Sequence, residues 1–151
     1  MRAKFQVLVI PFKKVNGIAK YIILKRADLK VWQGIAGGGE GDESAIEAAK
    51  REANEELNID SSCEYIQLDS VASIPAIYFK DHVKLWGKKT LVIPEYCFGV
   101  EINECGLRLS DEHSEYKWCS YEEAIKLLEW DSNKVALWEL NERIRLEILN
   151  D

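Results

Sequence analysis

No apolar run in this sequence approaches the roughly twenty residues needed to span a bilayer, so no membrane-crossing helix is expected. Bulk positive charge is missing too. Twenty Lys and Arg stand against 26 Asp and Glu, a net charge of −6. That balance argues against non-specific nucleic-acid binding, which needs a cationic face. It also requires that any polyanionic ligand be met by local cations or a metal. The four cysteines, Cys63, Cys97, Cys105 and Cys119, form no CxxC pair. They read as reduced thiols in a cytoplasmic protein, with no zinc site. Repeats, linkers and low-complexity segments are absent. The apolar run Phe5–Phe12 is short, contains Gln6 and Pro11 and lacks a small-residue cleavage site, so it reads as a strand rather than a signal peptide. What remains is an ordinary globular composition, 47% hydrophobic over 151 residues. One domain spanning 1–151 is expected, long enough to bury a real core.

Strand patterns recur along the chain. Phe5–Phe12 and Ile18–Lys25 read as strands joined by a turn at Asn16-Gly17. Val31–Ala36 leads into a glycine loop. Glu64–Phe79 is β-rich and breaks or bends near Pro75. Lys80–Lys89 reads as a polar, basic loop holding Trp86. Thr90–Glu101 is another strand, with Pro94 signalling an edge or a bulge. Tyr116–Cys119 is a short strand. Ser120 then caps a helix, with Glu123 completing a capping box. A last amphipathic helix covers about 133–149, with Val135, Trp138, Ile144 and Ile148 expected on its apolar side. Strands mixed with three helices predict an α/β sandwich.

The stretch Gly37–Ile59, GGGEGDESAIEAAKREANEELNI, carries the chemistry. From Glu43 to Leu57 it holds no Pro or Gly and is rich in Ala, Glu and Lys, so helix is favoured. Ala45, Ala49, Ala53 and Leu57 recur at steps of four and give one apolar face, with Ile46 beside it. Glu52, Glu55 and Glu56 crowd a neighbouring face. Like charges so placed repel by about a few tenths of a kcal/mol per pair. A hard cation removes that cost, because Mg²⁺ prefers carboxylate oxygens and water. Arg51 is positioned to orient the cluster, four residues before Glu55 and four after Glu47. Asn58 fits a left-handed helix exit, where Asn is second only to Gly. Acidic helices alone usually mean a solvated face, and glycines alone a flexible loop. The joint spacing is far more specific than either.

That spacing, G-x5-E-x7-R-E-U-x-E-E-x-G-U with U a bulky apolar residue, resembles the Nudix box over residues 37–59. Gly37, Glu43, Arg51, Glu52, Glu55, Glu56 and Ile59 match, while Ala53 and Asn58 depart from it. The resemblance implies an α/β/α sandwich around a mixed β-sheet, the box forming loop–helix–loop. It extends outward. Ile22-Ile23-Leu24-Lys25-Arg26 is similar to the strand and basic pair that precede the box in many members. Trp32-Gln33 before Gly37, and Asp111–Trp118 with its EH…YKW pattern, resemble the dihydroneopterin triphosphate pyrophosphatase group. The middle, Cys63 to Lys89, has no comparable match.

The resemblance implies hydrolysis of a phosphoanhydride by attack of water on phosphorus, with Mg²⁺ or Mn²⁺ as cofactor. Carried over position by position, Glu52, Glu55 and Glu56 are expected metal ligands, with the Gly37 carbonyl a further one. Glu55 and Glu56 are thereby also catalytic candidates. Arg51 orients these carboxylates or is purely structural. Glu43 is expected at the helix start, where the dipole favours it. Glu112 is the expected base or extra ligand outside the box, with Glu115 its neighbouring alternative. His113 is read as an ordinary loop histidine. Arg26 is a candidate for phosphate, Trp32 for stacking on a ring or for the core, and Gln33 for reading a heterocycle edge. The Lys80–Lys89 loop, with four lysines against Asp81, is a candidate attractor for polyphosphate. The expected reaction cuts a nucleoside or pterin triphosphate, such as dihydroneopterin triphosphate or a dATP-like nucleotide, to monophosphate and pyrophosphate. Three other readings stay open: a dinucleoside polyphosphate or nucleotide-sugar hydrolase, an oxidised-dGTP hydrolase, and a non-catalytic nucleotide-binding domain. The only partner expected is a small phosphoanhydride substrate, with the chain a monomer or a homodimer.

Overall fold

The computed structural model describes residues 1–103 and 105–149. Seven strands and four α-helices follow one another. The strands are β1 (Arg2–Val15), β2 (Ile18–Arg26), β3 (Trp32–Gln33), β4 (Ile35–Glu40), β5 (Glu64–Pro75), β6 (Val92–Glu101) and β7 (His113–Cys119). The helices are α1 (Ala45–Leu57), α2 (His82–Trp86), α3 (Tyr121–Leu127) and α4 (Asp131–Leu146). The strands form one mixed sheet, with β1 parallel to β6 and its other pairings antiparallel. No described helix is long and apolar enough to cross a membrane.

β1 and β2 are joined by Asn16-Gly17, both at positive φ (53° and 78°). Such a two-residue turn has the hand that matches the twist of its strands. The two strands then pair only from Phe12↔Tyr21 to Val15↔Ile18 and diverge. Below that point β1 pairs with β4, while β2 takes up β3 and β7. The sheet is therefore forked, and the short segment from Trp32 to Glu40 crosses the fork. Pro94 lies one residue before the β1–β6 pairing begins at Gln6↔Glu95, so its missing N–H breaks no bond on that side.

Strand alternation divides the core into two layers. Leu8, Ile10, Phe12, Tyr21 and Ile23 pack toward α3 and α4 with Leu137 and Leu140. Val7, Val9, Ile22, Leu24 and Ile35 pack toward α1 with Ala49, Ala53 and Leu57. Full burial of each such Leu or Ile contributes about 1.5–3 kcal/mol. Small alanines let α1 lie close on the sheet, and this accounts for Ala53 at a position where the resembling pattern has a larger residue.

Several local expectations change. The three glycines lie inside β4 rather than in a loop. Residues 80–89 contain the short helix α2, making four α-helices rather than three. Trp86 packs edge-on against Phe79, and its indole donates to the Arg2 carbonyl at 3.3 Å. None of that segment's lysines lines the central cavity. In α4, Val135 and Trp138 are exposed, and the buried face is Ala136, Leu137 and Leu140 with Asn133 and Arg143. A buried Arg143, held by Glu139 and Asp69, hides that face from a purely apolar count.

Candidate active site

α1 starts with a full capping box, Ser44 with Glu47, which leaves Glu43 free for another partner. Arg51 donates through Nε and Nη2 to the two Glu43 oxygens at 2.8 and 2.9 Å, and to the Gly38 carbonyl at 2.7 Å. Its Nη1 donates to Glu52 at 3.0 Å and reaches Glu55 at 3.3 Å. The arginine thus ties the helix to β4 and orients the acidic face. Its partner upstream is Glu43 rather than Glu47. Asn58 ends the helix at φ 60°, ψ 36°, the left-handed exit its side chain suggests.

Beyond the helix the chain is stitched back onto it. Arg108 N–H donates to the Leu57 carbonyl and Ser110 N–H to that of Glu56, at 3.1 and 3.0 Å. The Asn58 amide donates to Gly106. These bonds carry Glu112 and His113 onto the last turn of α1. His113 Nε2 lies 2.6 Å from Glu56 Oε1, with both side chains only 2% exposed. His113 is therefore a buried partner of Glu56, not an ordinary loop histidine. Ligand atoms of Glu56, Glu112 and His113 all lie within 4.8 Å of one another. Glu115 instead pairs with Lys25, away from the cavity.

The resulting cleft, about 640 Å³, opens at the fork of the sheet. Among the described residues, Asp28, Glu40, Glu52, Glu56, Asp111 and Glu112 line it, against only Arg2 and Arg26. Burial is the main cause that lifts both Glu52 and Glu56 to about 8. For Glu52 the adjacent Glu56 adds to this, and for Glu56 the nearby Glu112 and Glu55 do. Glu56 Oε2 is buried with no hydrogen-bond partner among the described residues. At Gly37 an added Cβ would overlap the Glu52 carboxylate, so only glycine leaves that carboxylate its place. An excess of clustered carboxylates with an orphaned oxygen suits a hard divalent cation.

The other expected residues divide. Arg26 lines the cleft but is held by Asp28 through two bonds of 2.9 and 2.6 Å. Gln33 also lines it. Glu55 does not line the cleft; it lies against Arg51 with its side chain 56% exposed. Trp32 lies outside both the cleft and the pocket beside it, packed on the α3–α4 layer. Adjacent strand residues face opposite sides, so Gln33 and Trp32 cannot both serve the cleft. The aromatic that reaches Gln33 is Trp130, whose indole donates to its side-chain oxygen at 2.9 Å. Arg2 gives no sequence signal, yet it lines the cleft and stacks 4.7 Å over the Phe79 ring.

Comparison with known proteins agrees with this geometry. A protein of Listeria monocytogenes assigned to the Nudix hydrolases is 48% identical, covers 99% of both chains and superposes with a TM-score of 0.89. The dihydroneopterin triphosphate pyrophosphohydrolase of E. coli shares the fold at 24% identity, with 93% of this chain and 97% of that one covered and a TM-score of 0.73. An Ap4A hydrolase of C. elegans does so at 20% identity, 93% and 98% coverage and a TM-score of 0.67. The family model of the NUDIX domain matches residues 6–138. The forked sheet, the acidic helix laid across it and these matches together place the chain in the Nudix family, as a hydrolase of phosphoric anhydride bonds.

Proposed function

We propose that residues 1–151 act as one cytoplasmic Nudix unit, a pyrophosphohydrolase that cuts a nucleoside or pterin triphosphate to monophosphate and pyrophosphate. The observation that carries this reading is the pair Glu52–Glu56, with Glu56 buried beside Glu112, in a cleft that Gly37 and Gly38 also line. Glu52 and Glu56, with the Gly37 carbonyl and Glu55, would hold Mg²⁺ or Mn²⁺. When bound, the cation neutralises phosphate charge and makes water more acidic. Arg51 keeps the acidic face in place, and His113 engages Glu56 Oε1 and leaves Oε2 for the cation. Glu112, exposed on its loop, takes the proton of the attacking water. The water oxygen bonds to phosphorus as the anhydride P–O bond breaks, and the leaving oxygen carries away the phosphate chain. Arg26 and Arg2, which line the cleft, would compensate distal phosphates. Gln33 faces the heterocycle.

The test compares dihydroneopterin triphosphate, dATP, oxidised dGTP, a diadenosine polyphosphate and ADP-ribose at equal concentration, with Mg²⁺ and in excess chelator. Products are identified directly. Pyrophosphate release that requires the cation is expected. Preference for the diadenosine compound or ADP-ribose, or full activity in chelator, refutes the proposal.

A further inference from the structure

Beside the cleft lies a second pocket of about 710 Å³, sharing Gln6, Arg26, Gln33, Ala36 and Tyr78 with it. Its character differs: Leu29, Ile74, Pro75 and Trp130 contribute apolar wall, and the start of α4 closes one side. One charged residue sits in that wall. Glu95, on β6 between Gln6 of β1 and Ala72 of β5, is only 5% exposed. Its Oε1 is buried and has no hydrogen-bond partner among the described residues. Burial raises its carboxyl above the usual range, opposed in part by the Ser132 side chain. Leaving a carboxyl oxygen unmet in this way costs stability, and nothing in the fold uses it. The cost points to a ligand.

A second polar group lines the same pocket. Indole N–H is donor only, so Trp130 must meet the Gln33 oxygen, and the Gln33 amide N–H₂ is left as the donor for a ligand. Trp130 and Tyr78, 40% and 77% exposed, supply ring faces at the pocket. We propose that this pocket receives the substrate's heterocycle and that Glu95 and Gln33 read an edge with adjacent N–H donors beside a carbonyl, as a 2-amino-oxo purine or pterin presents. Glu95 accepts from the ring N–H and the amino group, and Gln33 donates to the oxo group. An adenine edge sets a ring acceptor beside one amino donor and leaves the carboxylate half unmet. This rests on reading the adjoining cleft as the phosphoanhydride site.

Calorimetry with GMP, AMP and ribose 5-phosphate in Mg²⁺ tests it on the wild type, Glu95→Gln and Glu95→Leu. The wild type should bind GMP at least about tenfold tighter than AMP, since a bond to a charged group is worth that factor or more. Both variants should lose that preference while ribose 5-phosphate binding stays the same. Melting temperatures should hold or rise, because the variants remove a buried carboxyl. Equal binding of GMP and AMP, no binding of either, an unchanged preference in Glu95→Gln, or a large fall in melting temperature would each overturn the inference. The readout is binding, so it separates from the hydrolysis test. A GMP preference lost with Glu95 stands even if no triphosphate is cleaved.

Discussion

The buried carboxylate pair makes the metal-free protein sensitive to pH in a definite direction. Glu52 and Glu56 are raised from 4.5 to about 8 in the fold. Between those values the native state keeps a proton that the unfolded chain has released. Stability therefore falls as pH rises through the folded value. The two side chains are adjacent and titrate together, so a single shared proton is the conservative count. For one proton released near pH 8, going from about pH 6.5 to about 8.5 removes about 2 kcal/mol. That corresponds to about 4–8 °C in Tm for a chain of this size. The window matters. His113 is held below its usual value by burial, so its contribution rises with pH and levels off within about a unit above 6.5, offsetting only about 0.4 kcal/mol of the fall. The carboxylates with lowered values, Glu43 and Glu139 among them, are fully ionised before the window opens. Cys97, pushed up to about 12, affects only more alkaline conditions. Thermal melts in chelator should show the fall. Glu56→Gln should weaken it, since burial still raises Glu52, and saturating Mg²⁺ should reverse it, because the ligands bind deprotonated. A flat wild-type profile, or the same slope in Glu56→Gln, would refute the assignment of a buried, proton-sharing pair.

Gly37→Ala should cut kcat/KM by about a hundredfold or more, because its methyl would displace the Glu52 carboxylate; wild-type kinetics would remove Gly37 from the site. Glu112→Gln should lower kcat by about a hundredfold with little change in KM, measured by pyrophosphate release. A full rate would pass the base role to a box glutamate.

Much of this protein was legible from local pattern. The helix over 45–57, the packing of Ala45, Ala49, Ala53 and Leu57 on the sheet and the left-handed exit at Asn58 follow from i, i+4 spacing and cap chemistry, which need only near neighbours; Ala48, buried beside them, was not in that spacing. So does the capping box at Ser120. Spacing also put Glu52, Glu55 and Glu56 on one helix face. It did not tell which of them sits in water: Glu56 is 2% exposed and Glu55 is 56% exposed at its side chain. That difference comes from the fork of the sheet beneath α1 and from the loop bonded across its last turn. The same loop set His113, 57 residues from Glu56 in sequence, at 2.6 Å from it. Trp32 and Trp130 look alike as sequence, yet strand register sends one to the core and α4 brings the other to Gln33. Arg2 and Glu95 carried no local signal. β1 pairs with β4 on one side and β6 on the other, and those long-range pairings set both residues beside the cavities. Periodicity reads one element at a time; the joining of elements far apart in sequence is decided only when the sheet closes.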